Sequence, residues 1–477
     1  MNMRKFKRLS KTLFIATALT GAMATASLLP SQYALAQQQF PLASPERAAA
    51  AEAANLARPK LKSIAGMDEK AARKLNEVQE LMNATPPQFD EAEKILKDQD
   101  LNRLNATEKA AFLQMLAAVS QNKGDMNAAM GYYKQILAME SISNVQRDQM
   151  TFVVGQIEFS NGNLDSALGY FNEWFKYQAD PSITNIVMLA NVHYAAGMEE
   201  GLPQAEANAH FRTSIEFLNW AIDKSKKEGK EDQENWYGVL RALHNNLGET
   251  NKVIEYAELL VSRWPKKAYW TQLSGLYGQK ASEEGLSEAE VKKYEDKQFA
   301  AFEAAFRQGM LDSGRELETM AQLYLYHESP YQAGKTITKS LDENLSEKNQ
   351  RNLELQATAL MNGKDYAKSV APLAAAAEMS KDGNLYMRLA NIYLTLDSYQ
   401  EAATSIDKAL EKGGLTRPDQ SRLLQGQAYL ALEQFDKARA SFREAAKDNR
   451  SAKIAAQLLQ YTDSEEKRIK DIKEYLS

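Results

Sequence analysis

Residues 383–394 read Gly383-Asn-Leu-Tyr-Met-Arg-Leu-Ala-Asn-Ile-Tyr-Leu, with Ser398-Tyr-Gln-Glu-Ala and then Ala409 following. The same phrase returns as Gln425-Gly-Gln-Ala-Tyr-Leu, Gln434-Phe-Asp-Lys-Ala, Phe442 and Ala445. Ala390 of the first copy and Gly426 of the second stand 36 positions apart. Self-similarity at such a period is the mark of stacked helix pairs that bury a core only against their neighbours.

Working outward, each part of the unit has its own physical task. The first helix carries a small residue, Ala or Gly, where its partner crosses closely, and an aromatic or large residue three further on fills the adjoining gap. A turn follows, often with Gly. The second helix sets an aromatic or Leu before a small residue, with a bulky residue four later and a small or apolar one three after that. Spacings of three and four place these residues on one stripe of each helix. The pattern recurs at Ala117 with Ala129, Tyr133 and Ile136, and at Gly155 with Ala167, Phe171 and Trp174. It appears again at Ala190, Arg241, Trp270 with Leu273 and Tyr277, Ala321 with Tyr324, and Ala357. With a partial unit at Phe89, Ala92 and Leu96, about ten helix pairs are expected, spanning residues 68–450. Two units are too long, between Gly197 and His210 and between Ala281 and Lys293. In the second, Ser287-Glu-Ala-Glu290 forms a capping box, which predicts that the insert lengthens the second helix rather than looping out. Residues 451–477 are read as one or two charged capping helices, the polar end such a stack needs.

The N-terminal stretch has a different character. Arg4, Lys5, Lys7, Arg8 and Lys11 precede an apolar or small run from Thr12 to Leu29, and Ala34-Leu35-Ala36 follows. This pattern predicts a secretory signal at 1–36 cut before Gln37. An uncleaved anchor is the rival, since about 18 apolar residues can just cross a bilayer. Residues 37–67 are read as a flexible segment with one Ala-rich helix, started by Ser44-Pro45-Glu46 and ended at Arg58-Pro59. That lone helix has little to bury, so a spacer or mobile arm is expected. Losing the five cations takes the formal charge from −5 to −10, which disfavours nucleic acid and anionic lipid as partners. Cysteine is absent, so neither disulfides nor thiolate chemistry is on offer.

The recurring order of small residue, Tyr, Gly, Tyr or Phe, Ala, Phe and Ala, with Pro265 closing one unit and Trp270 opening the next, resembles the tetratricopeptide repeat. The resemblance covers roughly Arg73 to Asn449 and implies an all-α, right-handed superhelical solenoid whose first helices line a concave wall. Longer strings, Lys266-Lys-Ala-Tyr-Trp-Thr-Gln-Leu-Ser-Gly-Leu-Tyr277, Gln308-Gly-Met, Met320-Ala-Gln-Leu-Tyr324 and Lys412-Gly-Gly-Leu-Thr-Arg-Pro418, look like secreted tetratricopeptide proteins of Gram-negative bacteria. Those proteins are encoded beside the TonB, ExbB and ExbD energy-transducing system. The narrower likeness implies the periplasm and a partner in energised outer-membrane uptake.

Reaction chemistry is sparse. The four histidines, His193, His210, His244 and His327, lack metal-ligand spacing, and His193 and His244 stand where other units place Tyr, as core filling. Ala333-Gly-Lys-Thr336 lacks the first glycine and the preceding strand of a phosphate loop. No Gly-x-Ser-x-Gly elbow occurs, and the carboxylates lie on solvated helix faces. No enzyme activity, cofactor or metal is therefore expected. The constellation that does recur is an amide directly after the small crossing residue: Gln156, Asn191, Gln322, Asn391 and Gln427. At a fixed phase these project to one side of the stack, where donors and an acceptor suit a peptide backbone of any sequence. Phe159 and Tyr194 add aromatic area, and Arg388 and Arg422 are candidates for gripping a partner's carboxylates. The equally open reading is that the amides bond within their own helix pairs. A protein or peptide partner is expected, with an envelope assembly role through the ends or convex face, or polysaccharide binding, as alternatives.

Overall fold

The computed structural model describes residues 41–60 and 65–476, so the expected signal at 1–36 and its cut lie outside the described residues. The described chain is helical, without strands, and divides into two compact units at Glu231–Asp232. The N-terminal unit holds α1 (Pro45–Leu56) and four helix pairs. These are α2 (Glu69–Asn83) with α3 (Phe89–Lys97), α4 (Ala106–Asn122) with α5 (Met126–Leu137), α6 (Asn144–Ser160) with α7 (Leu164–Phe175), and α8 (Ile183–Gly197) with α9 (Gln204–Lys227). The C-terminal unit begins with α10 (Glu234–Asn246) and α11 (Thr250–Arg263), α12 (Lys267–Ala281) and α13 (Glu288–Arg307), and α14 (Gly314–Tyr326) and α15 (Pro330–Asp342). It continues with α16 (Gln350–Asn362) and α17 (Tyr366–Met379), α18 (Asn384–Thr395) and α19 (Tyr399–Lys412), and α20 (Pro418–Ala431) and α21 (Phe435–Ala445). A last helix, α22 (Asn449–Leu476), closes it. Ten pairs stand where the repeat pattern places them, in an all-α stack.

The pairs cohere through the asymmetric crossing expected from sequence. A Cβ added at Gly155 would sit 3.1 Å from the ring of Phe171, and one at Gly426 only 2.4 Å from Phe442. Both rings are fully buried, each lying against the bare backbone of its partner helix. α10 and α11 invert the arrangement, with Arg241 at the position of the small residue and Ala257 at that of the ring. Total volume across the crossing is what packing conserves. The turn between first and second helix needs a residue in the left-handed region, supplied by Gly124, Gly162 and Gly248 at φ of 83°, 79° and 73°. In the later pairs of the C-terminal unit the same place is held by Glu328, Lys364, Asp397 and Glu433, at φ between 53° and 64°. The N–H of Asn163 bonds the carbonyl of Glu158 at 2.9 Å, and that of Ser398 bonds Tyr393 at 2.8 Å, so the turn satisfies carbonyls the first helix would leave open.

One expectation changes and two are refined. α1 is not a free arm: Ala51 and Leu42 are buried, Arg47 donates to the carbonyls of Gln178 and Ala179, and Arg58 pairs with Asp148. Composition hides this, because two guanidinium heads hold the helix rather than an apolar stripe. The stretch read as one array over 68–450 divides at 228–233, Glu-Gly-Lys-Glu-Asp-Gln, which has no apolar side chain. The C-terminal cap is one helix of 28 residues, anchored where Arg439 meets Asp463 and Glu466. The Ser287 capping box forms and α13 runs for 20 residues, so that insert lengthens the second helix as expected. α9, after the other insert, runs for 24.

Gly426→Ala is expected to destabilise the C-terminal unit by roughly 1–3 kcal/mol, because its methyl would overlap Phe442. Gly131→Ala, in α5 with open space around the added carbon, is expected to gain about 0.5–1 kcal/mol. Urea denaturation followed by circular dichroism reads both.

Candidate functional site

First helices also touch one another directly: α2 meets α4 in the N-terminal unit, and α14 meets α16 and α20 meets α22 in the C-terminal unit. The amides lie on first helices of both units, on the side turned away from the second helix. Gln156 on α6 and Asn191 on α8 are half-buried in the N-terminal unit, while Gln322, Asn391 and Gln427 on α14, α18 and α20 are exposed in the C-terminal unit. The neighbouring small residue fixes the phase: Gly155, Ala190, Ala321, Ala390 and Gly426 are all buried, so the next position turns away from the second helix. None of the five amide side chains forms a hydrogen bond within the described chain, although many other Asn and Gln residues do. Asn352 donates to Glu318 at 2.9 Å, Gln356 to Thr338 at 2.9 Å, and Gln425 to Asp407 at 2.5 Å. The reading in which the amide row serves its own helix pairs finds no bond to rest on.

The other candidates divide. Phe159 and Tyr194 are half-buried three residues after their amides, and Tyr194 lies 6.4 Å from Phe211, ring to ring. Arg388 is occupied: it donates to Glu354 at 2.7 Å and Thr358 at 3.0 Å, tying α18 to α16. Arg422 donates to Gln425 at 2.9 Å, at the edge of a network that includes Asp407 and Ser441. Arg388 works first as a tie between helices, whereas the Arg422 bond stays within α20.

Buried carboxylates are likewise occupied. Glu108 closes the cap of α4 through Asn105 and accepts from the N–H of Asp68. Glu158 accepts from Lys134 at 2.8 Å and Asn163 at 2.7 Å; burial pushes its carboxyl up, and those bonds outweigh it and hold it below the usual range. Asp419 is held well below the usual range by the Arg417 guanidinium, and Ser451 donates to it. No group of three metal-ligating side chains occurs among the described residues, and no described helix is long and apolar enough to cross a membrane.

The histidines fill core positions. His193 is 2% exposed, stacked on Phe217, with its Nδ1 3.0 Å from Nδ1 of His210. His244 stacks on Tyr256 and pairs with Glu249, and His327 stacks on Phe299. Desolvation, with a smaller contribution from His210, pushes His193 down to about 3 from an ordinary 6.5. Burial also lowers His210, against the pull of Glu206 and Asp165. A buried imidazole that stays neutral while its unfolded counterpart binds a proton loses stability as pH falls below 6.5. The stabilisation is whole above that value and erodes towards 3. Between pH 7.5 and 5.5 the N-terminal unit is expected to lose about 1.4 kcal/mol through His193 alone. His193→Phe should flatten that dependence in urea melts, and an unchanged slope would show that His193 does not carry it.

The sequence pattern had no signal for the two arginine pockets that hold α1, because their partners lie far away in the chain. With this geometry in place, comparison with known proteins adds the following. The tetratricopeptide repeat family model matches residues 383–411 and 419–447, the pairs α18–α19 and α20–α21. No curated protein matches the chain. Among solved structures, the chain is similar to the TPR2AB-domain:pHSP90 complex of yeast Sti1, with 18% identity over 60% of this chain and 99% of that one, at a TM-score of 0.32. It is similar to YrrB, a TPR protein with an unusual peptide-binding site, at 16% identity over 41% and 91%, TM-score 0.30. A third likeness is to a tetratricopeptide repeat protein from Parabacteroides merdae, at 16% identity over 74% and 98%, TM-score 0.22.

Proposed function

We propose that this protein is a non-catalytic periplasmic scaffold that holds a protein or peptide segment along the first helices of its pairs. The observation that carries the reading is the row of amides at one phase, none of whose side chains is hydrogen-bonded among the described residues. A side-chain amide brought to a partner's backbone offers donors and an acceptor together, and a preformed helical wall gives up little ordering entropy in the exchange. Phe159 and Tyr194 supply rigid aromatic area beside two of those amides. Export is supported by the positive, apolar, Ala-Leu-Ala order of the first 36 residues. A component of a TonB, ExbB and ExbD complex as the partner is supported by the strings Lys266–Tyr277 and Lys412–Pro418.

The test is cross-linking in periplasmic extract followed by binding of each captured partner to two variants, one per unit: Gln156→Ala with Asn191→Ala, and Asn391→Ala with Gln427→Ala. Each lost amide contact is worth about 1 kcal/mol, so the pair in the engaged unit should weaken binding roughly thirtyfold with helix content unchanged. Partners that bind both variants as tightly as the parent would remove the amide row from the function. Recovery of ExbB, ExbD or TonB, dependent on the same amides, would supply the transport link.

A further inference from the structure

α1 is held almost entirely by two guanidinium groups. Arg47 donates through Nη1 to the Gln178 carbonyl at 2.7 Å and through Nη2 to the Ala179 carbonyl at 2.6 Å. Its plane lies 4.7 Å from the centre of the Phe175 ring and 5.1 Å from that of Trp220. Arg58 forms a fork with Asp148 at 2.7 and 3.0 Å and covers the Tyr177 ring at 3.8 Å, while Gln178 donates to the same carboxylate. Between these anchors the helix is mostly alanine; Ala51 is its one buried residue, and Leu56 is 72% exposed.

We propose that the α7–α8 loop, with Phe175 and Trp220 beside it and Asp148 beyond, is a recognition site for arginine-bearing helical segments of a protein partner. Residues 44–58 of this chain are its resident, exchangeable occupant. The acceptors suit a guanidinium better than an ammonium: two adjacent carbonyls meet a planar fork, and two aromatic rings, 6.2 Å apart and edge-to-face with each other, flank it. Asp180 adds negative charge in the same loop, where it also pairs with Lys224. The occupant is a weak ligand, because a short alanine helix is marginal alone and this one buries little apolar surface. Its fit is also incomplete, since Nε of Arg47 is buried without a hydrogen-bond partner. Attachment to the same chain keeps it in place through effective concentration rather than through contact quality. A competing helix with two arginines at similar spacing meets the same acceptors. The site lies apart from the amide row and shares no residue with it, so either can fail alone.

The experiment uses the full-length protein with Arg47→Ala and Arg58→Ala, which empties both pockets, and a fluorescein-labelled peptide of residues 42–60. Anisotropy is expected to show the peptide binding the emptied protein at least tenfold more tightly than the parent, whose pockets its own helix fills. Adding Asp148→Asn and Trp220→Ala to the emptied protein should abolish binding, and a peptide with lysine in place of both arginines should bind at least tenfold more weakly. Failure to bind the emptied protein, equal binding to the parent, or an equally good lysine peptide would overturn the proposal. So would loss of helix content or of urea resistance in the Arg47→Ala, Arg58→Ala protein, which would make α1 a structural part of the unit.

Discussion

A helix pair in this protein stands or falls on one close approach, where a ring such as Phe171 or Phe442 lies on the bare backbone of Gly155 or Gly426. At these two glycines an added carbon would press on the buried ring, while pairs with alanine at the same place, such as Ala117 opposite Tyr133, hold the ring slightly further off. Because the crossing point is fixed, the rotation of the first helix is fixed, and with it the direction in which every other side chain on that helix points. The amide row follows from this. Gln156 and Gln427 face away from the second helix because their predecessors must face it.

The first-helix surface separates what the stack uses from what it leaves open. Asn352, Arg388 and Gln425 spend their polar groups on neighbouring helices, to Glu318, to Glu354 and Thr358, and to Asp407. Asn352 and Gln425 are buried, so leaving either unbonded would be costly, and the ties restrain the spacing between adjacent pairs. The five amides one phase away have no such duty, which makes them the part of the surface with hydrogen-bonding capacity in reserve.

Legibility in the sequence tracked the range of the interactions. The ten pairs were readable because each is specified within about 40 residues: a small residue, a left-handed turn, a ring, and a cap such as Ser287 with Glu290. The turn was readable even where glycine is missing, since Asp397 and Glu433 stand at the same offset as Gly162. Docking of α1 was unreadable for the opposite reason. Its acceptors are backbone carbonyls at Gln178 and Ala179, which carry no signature in composition or spacing. The role of Arg388 was also hidden, because a solvated arginine and one tying two helices look alike until the neighbouring helix is placed. The amide row could be located from sequence, but its lack of internal partners could be seen only once every nearby donor and acceptor had coordinates.

Nearly every tie in the N-terminal unit joins adjacent helices, so each pair can close as soon as it is made. The Arg47 contacts are of another kind, joining residues 131 and 132 positions apart. During synthesis α1 is among the first helices to emerge and must wait through four helix pairs before Trp220 exists to receive it. Closing so long a loop is slow and entropically costly compared with the local steps before it. The arginine clasp can thus close in stages: Asp148, Phe175, Tyr177 and the Gln178 and Ala179 carbonyls are in place before α8 is made, and Trp220 completes the pocket only when α9 follows.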